Sequence, residues 1–99
     1  LRLLIERVVI MVTHTTVVRA AYGRSEQLGK HLHALQGSIQ QMAGCLRFDV
    51  EPVPGDATAW QMRGCWQSNA ALQAFFAAPR LQQAFDKAIR HDLLARLEC

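Results

Sequence analysis

Apolar and polar positions change period along this chain, and each change marks a new element. From Arg7 to Ala20 the run RVVIMVTHTTVVRA is rich in Val, Ile and Thr, contains no Gly or Pro, and predicts a long first strand. Alternation puts His14, Thr16 and Val18 on one face with Ile10 and Val12, and Met11, Thr13, Thr15 and Val17 on the other. Neither face is wholly polar, so both are expected to be covered. Tyr22-Gly23-Arg24 reads as a turn, and Ser25 as the N-cap of a helix with Glu26 in its first turn. Leu28, Leu32, Leu35, Ile39 and Met42 then recur at steps of four and three, one apolar stripe on one helix face. Gly29 and Gly37 weaken that helix slightly, and Gly44 can supply its left-handed stop.

The period returns to two at Cys45. Leu46, Phe48 and Val50 face one way and Arg47, Asp49 and Glu51 the other, until Pro52, Pro54, Gly55 and Asp56 break the strand into a turn. The run from Thr58 to Gln67 returns antiparallel. A turn centred near Gly55 places Cys45 opposite Cys65, and puts Trp60, Met62 and Trp66 on the face of Leu46, Phe48 and Val50. Gly64 is the small member of that row and leaves a gap beside Trp66. Ser68 caps a short second helix carrying Leu72, Phe75 and Phe76, and Pro79 starts a third with Leu81, Phe85, Ala88 and Ile89 on its apolar face. The tail LLARLEC has room for a short last strand.

The order strand, helix, strand, strand, helices, strand is an α+β arrangement of ferredoxin-like type, an antiparallel sheet with helices on one face. The other face mixes Arg47, Asp49, Glu51, Gln61 and Arg63 with the apolar positions of the first strand. A subunit interface explains such a mixture, and a symmetric homodimer through that sheet face is expected.

Size and composition agree with one domain over residues 1–99, since a chain of this length buries roughly 65% of its unfolded surface. With 51% hydrophobic and 19% charged residues and no apolar run near the ~20 needed to span a bilayer, a soluble protein is expected. The opening LRLLIERVVIMV is interrupted by Arg2, Glu6 and Arg7 and lacks the apolar core of a secretory signal, so a cytoplasmic location is expected. A first residue of Leu leaves room for an upstream segment. The net charge is +3, and the arginines are dispersed from Arg2 to Arg96 rather than gathered into a stripe. That argues against nucleic acid, as does the lack of a paired aromatic-basic motif on the middle strands.

Cys45, Cys65 and Cys99 have neither CxxC spacing nor histidines at metal-ligand intervals, so no metal site is predicted and reduced thiols are expected. A Cys45–Cys65 bridge requires suitable cross-strand geometry. His31 and His33 point about 200° apart on their helix, which excludes a shared metal site and leaves them as surface residues.

Gly44, Cys45 and Leu46 open the second strand, Trp66 closes the third, Ser68, Ala71 and Leu72 begin the second helix, and Pro79 precedes the last. In that order and spacing the chain resembles the antibiotic-biosynthesis-monooxygenase-like (ABM) family over about residues 8–90. The resemblance implies small ferredoxin-like domains that pair through their sheets as a dimeric α+β barrel. Its members include cofactor-independent quinol or polyketide oxygenases, haem-degrading enzymes and domains without known activity, so the fold alone does not assign a reaction.

Residue by residue, Trp66 stands where the family's pocket Trp stands. The Asn four residues earlier in phenol-acting relatives is Met62 here, the Tyr of the following helix is Leu72, and the basic residue of the last helix is Phe85. Haem-degrading relatives carry a His at about that last place, where Phe85 cannot ligate iron. Their first-strand Asn falls near Thr16, the Glu before the Trp is Gly64, and the second-helix His is Phe75. Haem is thus disfavoured, and no cofactor is expected.

What the resemblance leaves is a pocket lined by Trp66, Trp60, Met62, Phe48, Phe75 and Phe85, with His14 and Thr16 as its polar groups. It suits a flat aromatic ligand. The expected function is a cofactor-independent monooxygenase-like activity on quinol, phenolic or polyketide-type aromatics. His14 would act as general base, because histidine ordinarily changes charge near neutral pH. The alternative is a non-catalytic dimeric module of the same fold that binds a small molecule or serves assembly, with both Trp as packing residues.

Overall fold

The computed structural model describes residues 11–98. Its strands are β1 (Val12–Ala20), β2 (Cys45–Val53), β3 (Asp56–Trp66) and β4 (Leu94–Glu98), and its helices α1 (Ser25–Gln40), α2 (Asn69–Phe76) and α3 (Pro79–Arg90). They form one antiparallel sheet in the order β2-β3-β1-β4 with the helices packed on one face, the ferredoxin-like arrangement. The part of the predicted first strand before Met11 lies outside the described residues, as does Cys99.

Each helix lies where its apolar period ends on a stop. Leu28, Leu32, Leu35 and Ile39 of α1 are buried against the sheet, and Gly44 takes φ +81° between helix and strand, a conformation that favours glycine. α2 is N-capped by Ser68, whose hydroxyl accepts from the Ala71 N–H at 3.1 Å, and Pro79 sits in the first turn of α3. The core closes between helices and sheet, with Val18, Leu28, Leu32, Ile39, Phe48, Met62 and Trp66 essentially without exposed surface.

Three expectations are corrected. Ser25 begins α1 rather than capping it, and its hydroxyl donates instead to the Ala57 carbonyl across the β2–β3 turn. The β2–β3 register is displaced from the expected one. Phe48 pairs with Gly64 and Val50 with Met62, and the ladder shifts between Cys45 and Arg47. This bulge turns Leu46 out of the core, where it is 52% exposed. The displacement also separates the cysteines. Cys45 pairs with Trp66 on the helix-facing side, Cys65 pairs with Arg47 on the other, and both thiols are free.

Edge strand β2 is closed from the side. Gln36 and Gln40 of α1 both donate from Nε2 to the Phe48 carbonyl, at 3.2 and 3.0 Å, occupying a group that would otherwise invite another strand. Among the described residues no helix is long and apolar enough to cross a membrane.

Candidate functional site

The register assembles the helix-facing side of the sheet as transverse rows. Phe48, Gly64 and His14 form one row, and Val50, Met62 and Thr16 the next. Pro52, Trp60 and Val18 lie beyond these, while Cys45, Trp66 and Val12 close the opposite end. Because Gly64 lacks a side chain, the indole of Trp66 folds over it, and a Cβ at residue 64 would lie 2.5 Å from Trp66 Nε1. The gap expected beside Trp66 is therefore filled by Trp66 itself.

Helix α2 covers this end. Phe75 stacks obliquely on Trp66 at 5.0 Å between ring centroids and on Phe48 at 5.5 Å, and Phe76 meets the edge of His14 at 4.9 Å. His14 is half-buried, and its Nδ1 lies 3.4 Å from the hydroxyl of Thr16, with which it shares a hydrogen. Thr16, at 4% exposure, is the one buried polar residue among the described residues. Trp66 Nε1 is buried and has no hydrogen-bond partner. An orphaned indole N–H forfeits about 1–3 kcal/mol, so its place against Gly64 has a cost.

The structure thus brings together His14, Thr16, Trp66, Phe48 and Phe75, with Met62 beside them at 2% exposure. Trp60 stands apart at the other end, lying against Gly29 of α1, donating from Nε1 to the Ser25 carbonyl at 2.9 Å and meeting His33 edge-on. Phe85 is half-buried on α3 and packs against the same core. Phe76 is the addition that periodicity had treated as helix packing only. The adjacent aromatics Phe75-Phe76 are the signal, since two neighbours on a short helix reach different strands.

Three depressions on the surface of the described residues are lined by residues other than Trp66. The one on the open sheet face, about 590 Å³, is walled by Thr13, Thr15, Arg47, Asp49, Glu51, Arg63 and Cys65 and reaches the row of His14 and Gly64. Its charges are internally matched. Arg47 Nε lies 2.6 Å from Asp49, Gln61 donates to Glu51 at 2.6 Å, and Arg63 lies 3.6 Å from Glu51. The hydrogen bond to Asp49 raises the Arg47 pKa, and burial raises that of the Cys45 thiol. Among the described residues no cluster of His, Cys, Asp or Glu could hold a metal ion. His31, expected at the surface, is half-buried with Nε2 2.6 Å from the Ala84 carbonyl, a tie between α1 and α3.

This sheet, its helical cover and the Trp66 end can now be set beside known proteins. The antibiotic biosynthesis monooxygenase (ABM) family matches residues 11–87, from the residue before β1 into α3. The chain belongs to the ABM family. Curated proteins offer no match to this ABM domain. Among solved structures it is similar to a Pseudomonas aeruginosa protein at 26% identity and TM-score 0.76, covering 89% of this chain and 86% of that one. It is also similar to candidate antibiotic biosynthesis monooxygenases of Deinococcus radiodurans (19% identity, TM-score 0.78, 90% and 86% covered) and Nitrosomonas europaea (13%, 0.78, 89% and 84%). At those identities the last two establish the shared fold alone. The ABM domain accounts for the α+β architecture and the place of Trp66. The chemistry rests on this chain's own residues around it.

Proposed function

We propose that this ABM domain is a cofactor-independent monooxygenase acting on a quinol, phenolic or polyketide-type aromatic small molecule. The observation that carries the reading is His14, an imidazole edge-on to the Phe76 ring and 3.4 Å from Thr16 Oγ1. In the tautomer whose Nδ1–H donates to the Thr16 hydroxyl oxygen, Nε2 carries the lone pair that takes a proton. Removing it from a phenol conjugated to a ring methylene yields an electron-rich anion that reacts with dioxygen at that carbon. One oxygen atom ends in a new carbonyl and the other leaves as water, the substrate supplying the electrons. Phe48, Phe75, Met62 and Trp66, closed on one another in this structure, are the apolar side chains a flat ring system would meet beside His14. Phe85 packs on the same core, and Trp60 is set apart at the other end of the sheet.

A positioned general base contributes about 10²–10⁴-fold to rate. Oxygen uptake with anthrones, which carry such a ring methylene, is therefore expected, falling about a hundredfold or more in His14→Ala. Uptake no faster than that of the variant would refute the reading. A second reading has its own support in the fully buried Trp66 and the filled place over Gly64. It is a non-catalytic module of the same fold, whose tryptophan fluorescence responds to aromatic metabolites without turnover.

The domain is further proposed to act in the cytoplasm as a homodimer through its open sheet face. The matched charges of that face and Met11, 58% exposed and 3.8 Å from Cys65 on it, support the pairing. Sedimentation equilibrium giving the monomer mass would sink it.

A further inference from the structure

We propose that helix α2 is a hinged lid over a closed acceptor site at Trp66 Nε1, opening by tilting its C-terminal end toward α1. The inference rests on the reading above only for what the lid admits, a planar aromatic bearing an acceptor oxygen.

Three observations carry it. The first is the orphan: Trp66 has no exposed surface, and its Nε1–H has no partner. A buried donor left unpaired in a packed core calls for a reason, and an acceptor that arrives when the site opens supplies one.

The second is what covers the donor. Phe75 lies on Trp66 and Phe48, and Phe76 on His14, so two adjacent side chains of one eight-residue helix cover all three of these rings. Displacing that helix uncovers the donor and the imidazole together.

The third is that the two ends of α2 are held differently. Its N-terminal end is fixed by the Ser68 cap and by Ala71, which sits so close to Gly44 that a Cβ there would lie 2.6 Å from the Ala71 Cβ. Its C-terminal end is joined to α3 through Ala77 and Ala78, with Gln82 Nε2 3.5 Å from the Phe76 carbonyl, so α3 moves with it. That end borders an open depression of about 570 Å³ between the end of α1 and the α2–α3 junction, with Ile39 and Met42 on one side and Ala74, Ala77 and Ala78 on the other. The small alanines leave the space into which the helix swings. Pivoting on Ala71 closes this groove as it lifts Phe75 and Phe76 off the sheet.

Hydrogen exchange of the Trp66 indole N–H, followed by NMR without any ligand, tests the lid. Local opening exchanges this proton about tenfold or more faster than the backbone amides of central strand β3, with little dependence on added urea. Ala74→Leu fills the groove and is expected to slow the indole proton several-fold while leaving the β3 amides unchanged, whereas Phe76→Ala loosens the cover and speeds it. Exchange at the rate and urea dependence of the β3 amides would show that Trp66 is exposed only by global unfolding, and would overturn the proposal. So would an indole rate indifferent to Ala74→Leu. A domain with fast indole exchange and no oxygen uptake retains the lid and loses the reaction. One with oxygen uptake and globally limited exchange retains the reaction and loses the lid.

Discussion

Replacing Gly64 by alanine puts the central packing claim at risk. The added methyl would lie 2.5 Å from Trp66 Nε1, 3.2 Å from Cε2 and 3.4 Å from Cδ1. Carbon contacts settle near about 3.5–4.0 Å, so the indole must retreat by roughly 0.5–1 Å. It has nowhere to go, because Phe75 backs it at 5.0 Å between centroids and the ring has no exposed surface. Overpacking of this kind costs about 1–3 kcal/mol. The alanine returns about 0.4–1 kcal/mol by restricting the unfolded chain, so the net loss is about 1–2 kcal/mol.

Urea unfolding reads this directly. With an m-value of about 1.5 kcal/mol/M, the midpoint should fall by roughly 0.7–1.3 M at unchanged m. Thermal melting should fall by about 4–16 °C. The same substitution in a Trp66→Phe background removes the clashing Nε1, and its cost should shrink by about 1 kcal/mol, the coupling expected of residues in contact. An unchanged or raised midpoint, or an equal cost in both backgrounds, would refute the placement of the indole over residue 64.

Gly37 offers the opposite sign. It lies exposed inside α1 with no heavy atom within 4 Å of an added Cβ, so Gly37→Ala should raise stability by about 0.5–1 kcal/mol in the same urea assay. Asp56 should govern part of the acid response. Hydrogen bonds from the Thr58 hydroxyl, from Arg19 at 2.8 Å and from the Thr58 N–H hold its carboxyl at about 2. Because the folded value is depressed, its stabilisation is present above the unfolded value of about 3.9 and is lost as pH falls through the folded one. Urea midpoints measured between about pH 4 and pH 2 should decline less in Asp56→Asn than in the parent chain, and parallel declines would contradict the assignment.

What was legible in the sequence is what depends on neighbours along the chain. The step of four and three from Leu28 to Ile39, the alternation of Phe48 and Val50, the Ser68 cap and the proline at residue 79 each express a local backbone preference, and together they specified seven elements in order. The resemblance to the family is what singled out Trp66, a role that periodicity could not assign. His14 and Thr16 were placed on one face of one strand by period two, which is enough to bring them 3.4 Å apart.

Register was another matter, because pairing between strands is decided by the total packing of both faces rather than by any one run. A bulge at Leu46 displaced the β2–β3 ladder, turned Leu46 outward and set Cys45 and Cys65 on opposite sides of the sheet. Side-chain direction over long separations was equally hidden. The indole of Trp66 lies over Gly64, that of Trp60 lies on Gly29, and His31 ties α1 to α3, each a contact settled by the space other elements leave free. The sequence by itself determined which elements form and their order, and it placed most of the core residues, while Leu46 and Ile89, both expected to face inward, are exposed. Only the tertiary structure decided that the aromatic end of the sheet is closed by Phe75 and Phe76, because that closure exists only when α2, β1, β2 and β3 pack together.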